Sequence, residues 1–268
     1  MIPTLLLASQ GALALTGTEF ADQIDELSDR DRQAEMVCAL LDGDVPAYLE
    51  GLTAVRWAGP DTAGGRHTVE LQVMRDYLAV GTNADYLRAP LDLPSAILVA
   101  RELGMVLPTS KIVDEIYADA TQRFAPQPMP PSDMMRSVSA YMTYRSTLDE
   151  QGAGRPAADL RAGHKKDLVL TPRLDAQPDR VAIYGWHRQN GEPIQPLCLW
   201  HGAGYTDYSH GVRLVSPVVL VDGVEMDLFA VLADPVLWPL VSHEGPWDGA
   251  RDLVWPDENP RYPEYVPD

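Results

Sequence analysis

Lysine is nearly missing from this chain: only Lys111, Lys165 and Lys166 occur, and 21 Lys and Arg face 39 Asp and Glu, for a formal net charge of −18. Binding to DNA or RNA that is led by the phosphate backbone needs clustered cations, so nucleic acid is excluded as a partner class. The same charge repels anionic lipid headgroups, and no apolar run reaches the ~18–20 residues that cross a bilayer, so no membrane role is expected. Cysteine is equally scarce. Cys38 and Cys198 are the only two, too few for a disulfide scaffold, and they are expected to be buried thiols. No Lys or Arg precedes Arg30, so Leu5-Leu6-Leu7-Ala8 lacks the basic flank of a secretory signal, and a soluble, cytoplasmic protein is expected. The chain also holds no His-Glu-x-x-His zinc helix, Gly-rich phosphate loop, dinucleotide fingerprint, Cys-x-x-Cys pair or Gly-x-Ser-x-Gly elbow. These absences leave nucleotide and redox cofactors without support.

What is present is enough apolar content for a real core: 46% hydrophobic residues in 268. The first 125 residues read mainly as helices. Thr18 can cap a short segment carrying Phe20, Ile24 and Leu27, and Ser28 a second one ending near Leu41 and Gly43. His67 to Val73 is the clearest strand, after a Gly64-Gly65 turn, with His67 as an exposed strand residue. Pro94 suits a first helical turn and Gly104 its end, and Thr109 caps a further helix carrying Ile112, Val113, Ile116 and Tyr117. These two helices are expected to pack as a pair. Pro126 to Pro131 reads as an extended connector before a helix from about Asp133 to Glu150, and Gly152 to Pro156 as a second joint.

Beyond residue 160 short β-rich runs take over, at 167–170, 181–184, 212–215 and 218–221, the last followed by an Asp222-Gly223 hairpin turn. The pattern predicts an α+β protein, one compact unit over 1–268, with a mostly helical N-terminal half and a β-rich C-terminal half. Residues 161–215 are expected to form one contiguous sheet region, and the last 25 or so an irregular surface tail.

The polar cluster lies in that second half. His164, His187, His201 and His210 each fall at the edge of an expected strand, where sites assemble. His210 is a candidate general base, with Asp167 or Asp207 to orient it, Ser209 as a candidate nucleophile, Lys165 or Lys166 to stabilise an oxyanion, and His187 nearby. Cys198 with His201 is a weaker pairing. Arg213 is expected to pair with a carboxylate, and Trp186, Trp200 and Tyr208 either flank a cleft or pack in the core.

The runs Gly163-His164-Lys165-Lys166-Asp167, Tyr184-Gly185-Trp186-His187, Pro193 to Leu197 and Asp207 to Val215 resemble a bacterial protein family of uncharacterised function, over roughly residues 70 to 215. A looser similarity is to zinc peptidases that cut peptidoglycan cross-links. It implies His164, Asp167 and His210 as zinc ligands with an open position for water, although only Lys165 and Lys166 separate the first two here. The resulting expectation is a hydrolase acting on a polar substrate, most plausibly an amide or peptidoglycan-type bond, with His210 partly exposed and central. The alternative is a non-enzymatic structural or interaction subunit of a larger assembly.

Overall fold

A computed structural model describes residues 15–156 and 158–256. The chain opens with α1 (Gly17–Ile24) and α2 (Asp29–Asp42). Thr16, not Thr18, caps α1, because Glu19 three residues on completes a reciprocal capping box. Ser28 caps α2, and Gly43 ends it at φ 87°, a left-handed conformation that glycine adopts without strain. Two long strands follow, β1 (Leu52–Pro60) and β2 (Arg66–Met74), then the short β3 (Ala79–Gly81) and β4 (Tyr86–Arg88). Next come α3 (Leu93–Glu102), capped by Asp92 with Pro94 in its first turn, and α4 (Ser110–Asp119), capped by Thr109.

β5 (Gln122–Arg123) leads into the proline connector, a 3-10 turn at 133–136 and α5 (Val138–Gly152). The second half supplies β6 (Arg161–Ala162), β7 (Lys166–Leu168), α6 (Arg173–Ala176), β8 (Ile183–His187), β9 (Pro193–Cys198) and β10 (His210–Gly211). It closes with β11 (Val215–Val221), β12 (Val224–Asp227), α7 (Leu228–Ala233) and α8 (Ala250–Val254). The fold is α+β, helical toward the N-terminus and β-rich toward the C-terminus.

Two four-stranded sheets organise the molecule, in the orders β1-β2-β11-β12 and β10-β7-β8-β9. Residues 161–215 therefore do not form one sheet. Leu168 sits in the second, whereas Val215 pairs with Val73 in the first. The physical reason is β2, a nine-residue strand whose exposed edge captures β11. The β11–β12 turn is the expected Asp222-Gly223 hairpin, both residues at positive φ. His67 is not a free strand residue: its ring bridges Asp222 (2.7 Å) and Asp61 (3.0 Å), clasping this turn to the β1–β2 turn.

One hydrophobic cluster, from Phe20 to Val254, takes in buried residues of both sheets and of the helices. α3 and α4 do not pack as a pair. α3 lies on α2 and α8, and α4 on β1 and β8. Ile112 and Ile116 are buried as the apolar stripe requires, and α4 thereby joins the two sheets. Residues 250–254 correct the irregular-tail expectation: Ala250, Leu253 and Val254 of α8 are buried against α3 and α7. The Leu5–Ala8 run and residues 257–268 lie outside the described residues. Neither cysteine is fully buried, Cys38 being exposed and Cys198 half-buried, and both are free thiols. No described helix is long and apolar enough to cross a membrane.

Candidate functional site

The sheet β10-β7-β8-β9 has two sides, and the candidate residues are divided between them. In the parallel pair β7–β10, His210 stands opposite Lys166 and Gly211 opposite Asp167. Side chains in register share a side, and neighbours along a strand alternate. His210 and Lys166 therefore point one way and Asp167 the other. Asp167, His187, His201 and His210 do not converge on one cleft.

The His210 side is closed. His210 is 1% exposed, which corrects the expectation of a partly exposed base, and burial pushes its pKa down to about 4 although Asp207 pulls it up. Neither ring nitrogen has a partner among the described residues. Ser209 is no free nucleophile, since its Oγ donates to Asp207 Oδ1 at 2.5 Å and is fully buried. Asp207 also accepts from Tyr205 at 3.1 Å, and the Tyr205 ring stacks on His201 at 3.9 Å. Lys166 is half-buried with its ammonium over the Trp186 ring at 5.2 Å. Lys165 is buried, donates to the Tyr208 carbonyl, and is lowered by burial to about 7.

An imidazole with two orphan nitrogens contributes packing and no hydrogen bond. His210→Leu is therefore expected to hold its melting temperature at pH 7–8 and to lose less stability in acid than wild type. The sign follows from the pKa. The native ring stays neutral down to about 4 while the unfolded ring protonates near 6.5, so stability present above 6.5 is lost as pH falls through that window, by about 3 kcal/mol at most. Melting curves from pH 4 to 8 decide it. A drop at pH 7 as large as a core truncation, about 2–5 kcal/mol, would show that the polar atoms matter.

His164 is buried too, and its Nε2 lies 3.0 Å from Asp76 Oδ1. Burial drops its pKa to about 4 despite that carboxylate. Asp76 itself is fully buried. Burial alone would raise its pKa, but Arg88, gripping both carboxylate oxygens at 2.7–3.2 Å, and His164 hold it well below the carboxylate range. Arg161 stands 3.6 Å away. Arg213 does not pair directly with a carboxylate: it donates to the carbonyls of Met74 and Arg161 and covers the Tyr77 ring at 4.5 Å. His164, Asp167 and His210 do not share a coordination point, since two are engaged by Asp76 and Tyr77 and the third lies across the sheet. Among the described residues no group of three or more His, Cys, Asp or Glu is placed to hold a metal.

The other side of the sheet is buried at Asp167 and opens to a cleft beyond His187. Asp167 accepts from the Tyr77 hydroxyl at 2.8 Å, and burial lifts its pKa to about 6 against the pull of Arg213. Next to it is His187. The Gly185 backbone lies against both, since a methyl group there would come within 3.5 Å of Asp167 Oδ2 and 3.4 Å of His187 Cε1. His187 Nε2 reaches Asp114 Oδ1 at 2.9 Å, Tyr184 donates to the same oxygen at 2.9 Å, and His243 Nε2 meets Oδ2 at 3.0 Å. Burial would raise the Asp114 pKa, yet the hydrogen bonds from His187, His243 and Tyr184 hold it at about 2. The Tyr117 ring stacks on His187 at 4.5 Å. A cleft of about 380 Å³ opens here, lined by Asp114, Tyr117, Arg123, Tyr184, His187 and Asn190 among others.

Local backbone explains the convergence. Tyr184 and His187 are three apart and would face opposite sides of a regular strand. Between them Gly185 (φ 103°) and Trp186 (φ 54°) are both left-handed, and the pairing with β9 slips at the same place. Such a conformation is costly for a residue as bulky as tryptophan. It breaks the alternation, so that both side chains reach one carboxylate oxygen. On the α4 side, Thr109 caps the helix and its hydroxyl also donates to the Val241 carbonyl at 2.5 Å. That bond anchors the loop carrying His243 one helical turn from Asp114. The His187 side chain is 3% exposed and that of His243 51%, so of the two imidazoles only His243 is open to solvent.

Fold and site together define an α+β protein in which Asp114, held by Tyr184, His187 and the exposed His243, borders one cleft, with the buried Asp167 behind His187. Neither a protein-family model, nor a curated protein, nor a solved structure matches this chain.

Proposed function

We propose that this chain is a hydrolase whose general base is His243, acting on a polar substrate with an amide or peptidoglycan-type bond that docks in the cleft beside Asp114. The observation that carries the reading is the three-donor grip on Asp114 at an open cleft. A carboxylate so oriented keeps the His243 Nε2–H toward itself and leaves Nδ1, which has no partner among the described residues, to take a proton from water. The water oxygen bonds to the carbonyl carbon, the carbon–nitrogen bond breaks, and the proton passes through His243 to the departing amine. Asp114 stabilises the imidazolium that forms between these steps, and Arg123 on the cleft wall is the cation nearest a developing oxyanion. His187 and Tyr184 act through Asp114, as positioning residues.

The purified full chain, offered acyl p-nitroanilides and isolated peptidoglycan sacculi, should turn over at least one of them. Asp114→Asn and His243→Ala should each lower that rate by about 10²-fold or more, His243→Ala with an unchanged melting temperature and Asp114→Asn, which gives up a carboxylate held at about 2, with a modestly lower one. Tyr184→Phe should keep turnover measurable. Equal rates in wild type and Asp114→Asn, or no turnover on any substrate, would reject the assignment.

A non-enzymatic interaction subunit is the second reading, and one observation favours it. Trp200, just past the edge strand β9, is 84% exposed, an unusual placement for the largest apolar side chain. That reading gains if Trp200→Ala abolishes a stable complex while Asp114→Asn leaves it intact.

A further inference from the structure

Resting on the hydrolase reading above, we propose that the Asp114 cleft takes the end of a peptide, with Arg123 gripping the free C-terminal carboxylate so that the last amide bond is the one presented to His243. Arg123 is exposed, and of the described residues lining the cleft it is the one arginine or lysine. Such cations are scarce in this chain, 21 against 39 acidic residues.

The guanidinium is held on one side only. Its Nε–H donates to the Tyr117 carbonyl at 3.0 Å and Nη2 donates to the Ala118 carbonyl. Both carbonyls belong to the last turn of α4, where the helix itself supplies no donor. The central carbon of the guanidinium lies 5.2 Å from the centre of the Tyr117 ring. The backbone beneath is fixed as well, because Arg123 stands opposite Ala162 in the β5–β6 pair and its carbonyl accepts from the Gln189 amide at 3.3 Å. A guanidinium carries five N–H groups, and these contacts use two. Both hydrogens of Nη1 and the second of Nη2 have no partner among the described residues. They form the free end of the fork, which matches the two oxygens of a carboxylate. Capping of α4 asks for the engaged side alone.

Asn190, also in the cleft lining, adds a donor: its Oδ1 accepts from the Glu192 amide at 3.1 Å, and its NH2 group has no partner among the described residues. Spacing sets the direction in which a peptide lies. Asp114 precedes Ala118 by one turn, about 6 Å along α4, close to the reach of one extended residue plus a hydrogen bond. A carboxylate on Arg123 therefore brings the neighbouring amide level with Asp114, which His243 meets at 3.0 Å. The guanidinium then lies one residue from the scissile carbonyl and remains the cation nearest the oxyanion that develops there. The cleft, about 380 Å³, is at the small end for ligand sites and suits a chain end better than a chain running through.

NMR titration of the full chain with N-acetylalanine and with N-acetylalaninamide, each as both enantiomers and at matched sodium chloride, separates charge from shape. Saturable shifts at Ala118, Arg123 and Asn190 are expected with the acid, at an affinity about tenfold or more above that of the amide. Arg123→Gln should erase that difference, and Arg123→Lys, which keeps the charge and loses the fork, should shrink it. Equal binding of acid and amide, shifts that sodium chloride reproduces, or an undiminished acid preference in Arg123→Gln would each overturn the proposal. If Arg123→Gln does not fold, Arg123→Lys decides by the same criterion. Turnover is a separate readout, in which peptide acids should show a KM about tenfold below that of the matching amides, with the gap closing in Arg123→Gln. Acid-selective binding without turnover of either substrate would fell the hydrolase reading and uphold the Arg123 site. Turnover with equal KM for acid and amide would do the reverse.

Discussion

Replacing Asp76 by asparagine should lower the unfolding free energy by about 3–5 kcal/mol, the largest loss expected from any single change of charge in this molecule. Asp76 is 0% exposed and holds Arg88 through both oxygens, His164 at 3.0 Å, and the backbone N–H of Tyr77 at 2.8 Å. Arg88, Arg161 and Arg213 are themselves buried. Removing the one anion in contact with Arg88 leaves a guanidinium without water or counter-charge, and the cost is that of the stranded cation rather than the worth of the pair. A double variant, Asp76→Asn with Arg88→Met, should therefore recover part of the loss, since it removes the cation too. Urea unfolding of the two singles and the double measures the coupling. Asp76→Asn within about 1 kcal/mol of wild type would mean that water or another group already compensates Arg88.

Asp167→Asn should act in the opposite direction, and only above mild acidity. The native carboxyl titrates near 6 against an ordinary value of 3.8. Between those values the folded protein holds a proton that the unfolded chain has released, so the contribution to stability falls as pH rises through the window. About two pKa units correspond to about 3 kcal/mol. Asparagine keeps an acceptor for the Tyr77 hydroxyl and never ionises. Relative to wild type, the variant should gain up to that amount between pH 4 and pH 8. The check is urea unfolding at pH 4, 6 and 8; parallel curves would falsify the claim that burial of Asp167 sets its pKa. An ionised Asp167 also sits beside His187, so the same variant should alter the acid limb of any turnover profile.

The helices that position the site were legible because their signals are local. Ser28 with Gly43, Pro94 with Gly104, and Thr109 with the Ile112–Ile116 stripe each lie within a few residues of the element they bound. The Asp222-Gly223 hairpin was legible for the same reason. Pairing of β11 with β2 was not, because about 150 residues separate the partners and nothing in either run specifies the other. The site divides along the same line. Asp167 and His187 stood out among apolar strands, yet Asp114 reads as an ordinary polar position on an amphipathic helix and His243 as a lone histidine in a loop. Their meeting depends on the Thr109–Val241 bond, which no spacing reveals. His210 attracted attention for its polar neighbours, and those neighbours prove to satisfy one another through Asp207.

The left-handed step at Gly185 and Trp186 falls inside the paired part of β8: Gly185 stands opposite Lys166 of β7 and Gln195 of β9, the Trp186 amide donates to the Lys165 carbonyl at 2.9 Å, and His187 stands opposite Pro193. Alternation alone would put Tyr184 and His187, three apart, on opposite sides of β8, and removing one residue between them would bring them to one side without any left-handed step. That residue would be Trp186, which is buried in the core and donates its indole N–H to the Tyr144 hydroxyl at 3.0 Å. The left-handed step thus lets one short strand keep a tryptophan in the core and deliver both the phenol before it and the imidazole after it to the same carboxylate.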